Sequence, residues 1–290
     1  MTYRLELTDD PTALLALAGE HLAADPVLAT VVATVAVRAV GRPAPWHPQW
    51  WVSVLDGDRV VGVAMRTAPF RPYPLYVLPM PEPAALLVAR AVVERDEAAP
   101  ANGALPAARL VTEEVARLTG TRAVTARHTR LFELRRVLAP PRPPGQLRLA
   151  RPEEVALCLD WYRAFDEAAA EQSGRPAEPG HAEHFDDAYV AERIDQGRIH
   201  LWEGPGGEVV HLTAANTPAY GVVRVGPVFT PAEHRGAGYA SAAVAEVSQQ
   251  VLDAGLRPCL FTDQDNPTSN GIYQALGYEP VVDMANHDLR

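Results

Sequence analysis

Apolar residues recur along the chain with two periods, and the points where the period changes mark its elements. Two stretches of helical spacing near 11–37 lead into the hairpin WVSVLDGDRVVGVAM, which turns at Asp56-Gly57. The strand PLYVLPM, the helix EPAALLVARAVV, a second helix PAARLVTEEVARLTG and the strand-like TRAVTARHTRLFELRRV complete the first half. The run Ala139-Pro-Pro-Arg-Pro-Pro-Gly145 then breaks every period. Consecutive prolines neither continue a helix nor donate to a sheet, so a stiff connector is expected there.

The second half opens with LRLARPEEV, a short strand entering a helix whose first turn carries Pro152, Glu153 and Glu154. A further helix is expected near 183–196, and RIHLWEG and EVVHLTAAN form a hairpin about the Pro-Gly-Gly turn at 205–207. GVVRVGPVFT (221–230) is a third strand, and Ala240, Ala243, Val244, Val247 and Val251 then fall at helical spacing over 239–254. RPCLFTD, NPTSNGIYQALG and YEPVVDMANHDL follow as strand, helix and strand. The order β-α-α-β-β-β-α-β-α-β resembles that of the first half. An α/β (α+β) chain built as a tandem duplication is the expectation, with units at 1–138 and 146–290 and the linker at 139–145.

Composition narrows the partners. The 290 residues are 48% hydrophobic and 21% charged, which suits globular units with sizeable cores. The net charge of −10 argues against a protein that tracks a phosphate backbone, so no nucleic-acid partner is expected. Cys158 and Cys259 lie far apart in the apolar runs ALCLDW and RPCLF, as buried small hydrophobes do. MTYRLELTDD lacks a basic region followed by an apolar core, and the longest apolar runs fall short of a membrane span. A soluble cytoplasmic protein without a membrane partner is expected, its oligomeric state unspecified.

One junction carries chemistry. TPAEHRGAGYASAAV (230–244) sets an arginine and two glycines immediately before an alanine-rich helix, where free backbone N–H groups and the positive helix end favour an anion. A P-loop would require a lysine after the glycines, and none follows. A Rossmann turn fits Gly236, Gly238 and the distant Asp263, but Ser241 stands at the third glycine and TPAEHR separates the strand from the loop. Only about fifty residues remain beyond it, too few for the rest of a doubly wound sheet.

Arg235-Gly-Ala-Gly238-Tyr-Ala240 reads R-x-x-G-x-A directly after a strand ending GPVFTP. It resembles the coenzyme-A-binding signature (Q/R-x-x-G-x-G/A) of the GCN5-related N-acetyltransferases, the GNAT family. Downstream, Asn266 suits an N-cap, Pro267 the first helical position and Gly277 the left-handed stop, with Tyr273 two turns after Asn266. This N-x-x-(S/A)-x-x-(I/L)-Y-x-x-x-G-(F/Y) pattern resembles the later motif of the same family, and the resemblance spans roughly 146–290. The first half has Met80-Pro-Glu-Pro-Ala at the matching place, with neither glycine nor arginine, so it reads as a degenerate copy without a phosphate loop.

The resemblance implies an N-acetyltransferase that uses acetyl-CoA as cosubstrate, needs no metal, and acts on a small-molecule or peptide amine. It implies a coenzyme site at Val228, Phe229, Thr230, Arg235, Gly236, Ala237, Gly238, Tyr239 and Ala240, with Asn266 and Ser269 beside it. Within that site the arginine either contacts the anion or pins the loop. Tyr273 would meet the leaving sulfur, although a reference tyrosine at ~10 gives its proton to a thiolate at ~8.5 only uphill, by about 2 kcal/mol. No general base stands out among Asp166, Glu167, Glu208 and His211. His181 and His184 near Asp186 and Asp187 read as a solvated helix face rather than a metal site. A non-catalytic acyl-CoA-binding module is the rival expectation.

Overall fold

The computed structural model describes residues 3–45, 47–68, 73–95, 97–174 and 185–290, which form two compact units. The first comprises Met1–Leu131 together with Pro280–Arg290, and the second Phe132–Glu279. His181 and His184 lie outside the described residues, as does the side chain of Asp166.

In the first unit, β1 (Tyr3–Thr8) precedes helices α1 (Pro11–Ala24) and α2 (Thr30–Ala39). Asp10 caps α1, accepting from Thr12 N–H at 2.8 Å, and Pro11 fills its first position. The hairpin β2 (Trp50–Asp56) and β3 (Arg59–Arg66) follows, then β4 (Leu75–Val77), α3 (Glu82–Glu94), β5 (Ala101–Ala104), α4 (Ala107–Thr119) and β6 (Ala123–Leu134). The strands run antiparallel from β1 to β4, and β4 pairs parallel with β5. Small residues of α3 and α4 (Ala84, Ala85, Val88, Ala108, Val111) pack on Val52, Val54, Leu75 and Val77 to make the core.

The second unit repeats this plan. β7 (Gln146–Leu149), α5 (Val155–Gln172), α6 (Asp187–Asp195), β8 (Ile199–Glu203), β9 (Val209–Ala215), β10 (Val222–Phe229), α7 (Tyr239–Asp253), β11 (Arg257–Asp263) and α8 (Pro267–Ala275) succeed one another. β7 to β10 are antiparallel and β10 pairs parallel with β11. Each unit is thus a mixed, mostly antiparallel sheet flanked by helices. Helices α5 and α6 cover one face through Tyr162, Val190, Ile194, Leu201 and Leu212, while Val247 and Val251 of α7 meet Val223 and Val225.

Two expected boundaries shift. The last strand, β12 (Tyr278–Leu289), was expected to close the C-terminal unit; instead it pairs antiparallel with β5 through Met284↔Ala104, Ala285↔Gly103 and Asn286↔Asn102. Arg122 and Arg290 exchange backbone bonds of 2.7 and 3.0 Å, holding it to β6, and buried Met284 and Ala285 anchor it. The proline-rich run, expected as a stiff connector between the units, belongs to the second unit. The Trp202 indole N–H donates to Pro144 O at 3.0 Å, and Arg142 lies 5.3 Å from the Trp202 ring while pairing with Glu246 at 2.6 Å. Gly145 sits at φ 103 where a Cβ would strike Glu203 O, so only glycine admits this approach.

Because β12 lies beside β5, truncation after Glu279 should destabilise the first unit more than the second. Limited proteolysis of the truncated chain checks this, with new cuts expected within 1–131; cuts confined to 132–279 would contradict the division.

Candidate functional site

The chain creates an opening in the second sheet by ending a strand pair early. β10 and β11 match only through Val222↔Arg257, Val223↔Pro258 and Arg224↔Cys259. β10 continues against β9, with a register shift between Val225 and Val228, and then Val228↔Thr213 and Phe229↔Leu212. The β11 side of Val225–Phe229 is therefore left without β11 as a partner. Phe229 is buried and its ring lies 5.7 Å from Trp161 of α5, while Val228 packs between the clusters on the α7 side.

After Thr230 a short 3-10 turn (Ala232–His234) leads to Arg235, Gly236, Ala237 and Gly238. Gly236 and Gly238 sit at φ 78 and φ 85, where a Cβ would meet nothing within 4 Å. Their need for glycine is conformational, and the space above them is open. Gly238 is the N-cap of α7 and supplies no side-chain cap. Its carbonyl accepts from Ala242 N–H at 3.1 Å, so the N–H groups of Tyr239, Ala240 and Ser241 have no acceptor within the helix. Aligned amides and the positive end of a 15-residue helix suit an anion at this point. Arg235 pins the loop: its Nε donates to Thr230 O at 3.1 Å, and its guanidinium lies 3.7 Å from the Glu171 carboxylate.

α8 begins as expected, with Asn266 Oδ1 accepting from Ser269 N–H at 3.0 Å and Pro267 at its first position. The other end of that carboxamide, Asn266 Nδ2, donates to Gln172 Oε1 at 3.1 Å. The last turn of α5 thus touches both motifs, through Glu171 at the glycine loop and Gln172 at the α8 cap. Sequence reading missed this turn, because Glu171 and Gln172 end an alanine-rich stretch that carries no motif.

Tyr273 points from α8 into a cluster with Val244, Ala245, Leu260, Leu276 and Tyr278, and Val228 borders the same cluster. The two tyrosine rings meet edge to face at 5.9 Å. Tyr278 places its hydroxyl 2.8 Å from Ser248 Oγ, whereas that of Tyr273 has no partner among the described residues. Burial pushes Tyr273 up to about 12, so at neutral pH it is a phenol with an unused donor.

Glu208 folds its carboxylate over the β8–β9 turn against Gly204 and Gly206, and Glu167 is exposed on α5. His211 is wholly buried on β9, its Nδ1 2.7 Å from Thr230 Oγ1 and its Nε2 2.7 Å from Thr213 Oγ1. Burial lowers it to about 3, so it is neutral with both nitrogens engaged. Asp186 caps α6, accepting from Tyr189 N–H at 2.7 Å, with Asp187 in the first turn. Cys158 and Cys259 are buried.

Solved structures share this architecture along the whole chain. An acetyltransferase of the GNAT family from Colwellia psychrerythraea is 10% identical with a TM-score of 0.57, over 99% of this chain and 100% of that one. A GCN5-related N-acetyltransferase from Sphaerobacter thermophilus is 18% identical at 0.59, over 98% and 94%. A tandem GNAT protein from the clavulanic acid biosynthesis pathway is 16% identical at 0.58, over 100% and 98%. The protein therefore has the fold of the GNAT acetyltransferases in a tandem arrangement. Residues 207–285, which include the glycine loop and α8, match the family model described as FR47-like protein. No curated protein matches the sequence.

The buried imidazole has a consequence for stability. His211 takes up a proton near its ordinary 6.5 in the unfolded chain but only near 3 when folded, so its contribution is complete above 6.5 and is lost as pH falls. From pH 7 to 5 it should withdraw about 2 kcal/mol. Urea unfolding at both pH values should show a smaller pH difference in His211→Gln than in the wild type; equal differences would contradict the assignment.

Proposed function

We propose that the protein is an N-acetyltransferase that transfers an acetyl group from acetyl-CoA to a primary amine, by direct attack in a ternary complex in the second unit. The observation that carries this reading is the early parting of β10 from β11 beside a helix start whose first amides have no acceptor among the described residues. The open space over Gly236 and Gly238 and the unpaired Tyr273 hydroxyl fit the same ligand. Acetyl-CoA supplies an acyl group activated as a thioester.

The chain's own groups then divide the work. The amides of Gly236–Ser241 and the α7 dipole hold the pyrophosphate, with Arg235 fixing the loop's path. Val228, Phe229 and Thr230 offer strand backbone to the pantetheine arm, while Asn266 and Ser269 shape the facing wall from α8. Tyr273 lies about 3.5 units above a thiol, so giving up its proton is uphill by about 5 kcal/mol, more than the reference values suggest. It therefore keeps that proton and donates a hydrogen bond to charge developing at sulfur. The acceptor must arrive as the neutral amine, which forms the new C–N bond as C–S breaks with its electron pair leaving on sulfur. The amine's extra proton passes to water, from which the thiolate is protonated to free coenzyme A.

The first unit repeats the topology without the site. β4 and β5 stay paired to Val77↔Gly103, where a Cβ on Gly103 would strike Val77 O. Pro81 caps α3, and Glu82 and Pro83 open it, which places a carboxylate and removes an amide where an anion would sit. One coenzyme per chain follows.

Calorimetry should give one acetyl-CoA per chain and no binding by Gly238→Glu, which puts a strained side chain and a negative charge at the helix start. Absence of wild-type binding would remove the coenzyme reading. Tyr273→Phe should lower turnover about a hundredfold at unchanged acetyl-CoA affinity, followed as free-thiol release with a panel of amines. Tight binding without acceptor-dependent release would favour a non-catalytic acyl-CoA-binding module.

A further inference from the structure

His211 is a polar residue placed where an apolar one would fill the same space. It lies inside β9 on the side that faces α7, since its neighbours of opposite parity, Leu212 and Ala214, join the α5–α6 core. Leaving a buried imidazole nitrogen without a partner is costly, and here each nitrogen lies 2.7 Å from a threonine hydroxyl. A neutral ring has one donor and one acceptor, and a hydroxyl can serve either. The ring is thus satisfied at both nitrogens without any charge.

The end of this chain is informative. Backbone pairing between β9 and β10 reaches Phe229↔Leu212, and Thr230 is the next residue. His211 therefore extends the hold of β9 one residue past the ladder, through a side chain. Thr230 is gripped at a second atom as well, because its carbonyl accepts from Arg235 Nε at 3.1 Å. With its hydroxyl turned toward His211 and its carbonyl toward Arg235, Thr230 has a set orientation. The loop that leads to Gly236, Gly238 and the α7 amides departs from that residue.

We propose that His211 is a positioning residue for the coenzyme site, acting through the Thr230 hydroxyl to fix the direction in which the strand end and glycine loop present their backbone. This rests on the acetyl-CoA reading of that loop. It assigns His211 no proton-transfer step and gives the Thr230 side chain no contact with the ligand. The hydroxyl and the imidazole should act as a single unit.

Acetyl-CoA affinity in the full chain tests this, measured by calorimetry for Thr230→Val, Thr230→Ser, His211→Gln and the double variant His211→Gln/Thr230→Val. Thr230→Val removes the hydroxyl with little change of shape and should weaken binding about tenfold, the scale of one lost hydrogen bond. Thr230→Ser keeps the hydroxyl and should stay within about twofold of the wild type. The double variant should be no weaker than the poorer single variant, since either change breaks the same link. Equal loss in Thr230→Ser and Thr230→Val, or unchanged affinity in Thr230→Val, would overturn the role while wild-type binding leaves the coenzyme reading intact. Additive losses in the double variant would overturn it too. If His211→Gln does not fold, the serine and valine pair decides alone. No binding by the wild type overturns the coenzyme reading, and this role with it.

Discussion

Parallel pairing between β10 and β11 stops at Arg224 and Cys259, and the candidate site depends on that stop. Up to this point both strands share one ladder; beyond it β10 follows β9 through a register shift, and β11 goes on to the cap of α8. A sheet interior normally leaves no backbone group open to a ligand, because each is spent on a neighbouring strand. Ending one pair early while keeping the other releases one side of Val225–Phe229 without unravelling the strand. The first unit has a parallel ladder of the same three-pair length, but there Gly103 lies tight against Val77 O and prolines occupy the start of the following helix.

Several polar groups around the opening are committed to holding a neighbour in place. The Asn266 carboxamide caps α8 and holds Gln172, Arg235 holds Thr230, and Tyr278 meets Ser248. Each is occupied in positioning something else. The Tyr273 hydroxyl, from α8, and the first amides of α7, from the loop, have no partner among the described residues. Burial also limits what Tyr273 can do, since the low-polarity surroundings that shape its pocket oppose formation of a phenolate.

Much of this was legible in the sequence because its signals are local. Asn266, Pro267 and Gly277 punctuate α8 by their own backbone preferences, and Gly236 and Gly238 announce positive φ before a helix. Alternating and helical periods located most other elements. β5 escaped because Ala101-Asn-Gly-Ala104 has little strand propensity, and β1 escaped although Tyr3, Leu5 and Leu7 alternate. The return of β12 to β5, the docking of Arg142 and Pro144 on Trp202, and the reach of Glu171 and Gln172 are long-range choices. No window of the sequence states which strand edge or which helix end a segment will meet. Of His211, the sequence showed a titratable residue on a hairpin; its burial between Thr213 and Thr230 came only with the fold.

Hydrogen exchange at the amides of Gly236–Ser241, with and without acetyl-CoA, tests the central claim most directly. These N–H groups should exchange rapidly in the protein alone, since those of Tyr239, Ala240 and Ser241 have no helical acceptor, and should become protected when the coenzyme is added. Protection elsewhere, with Gly236–Ser241 exchanging as fast as before, would contradict it.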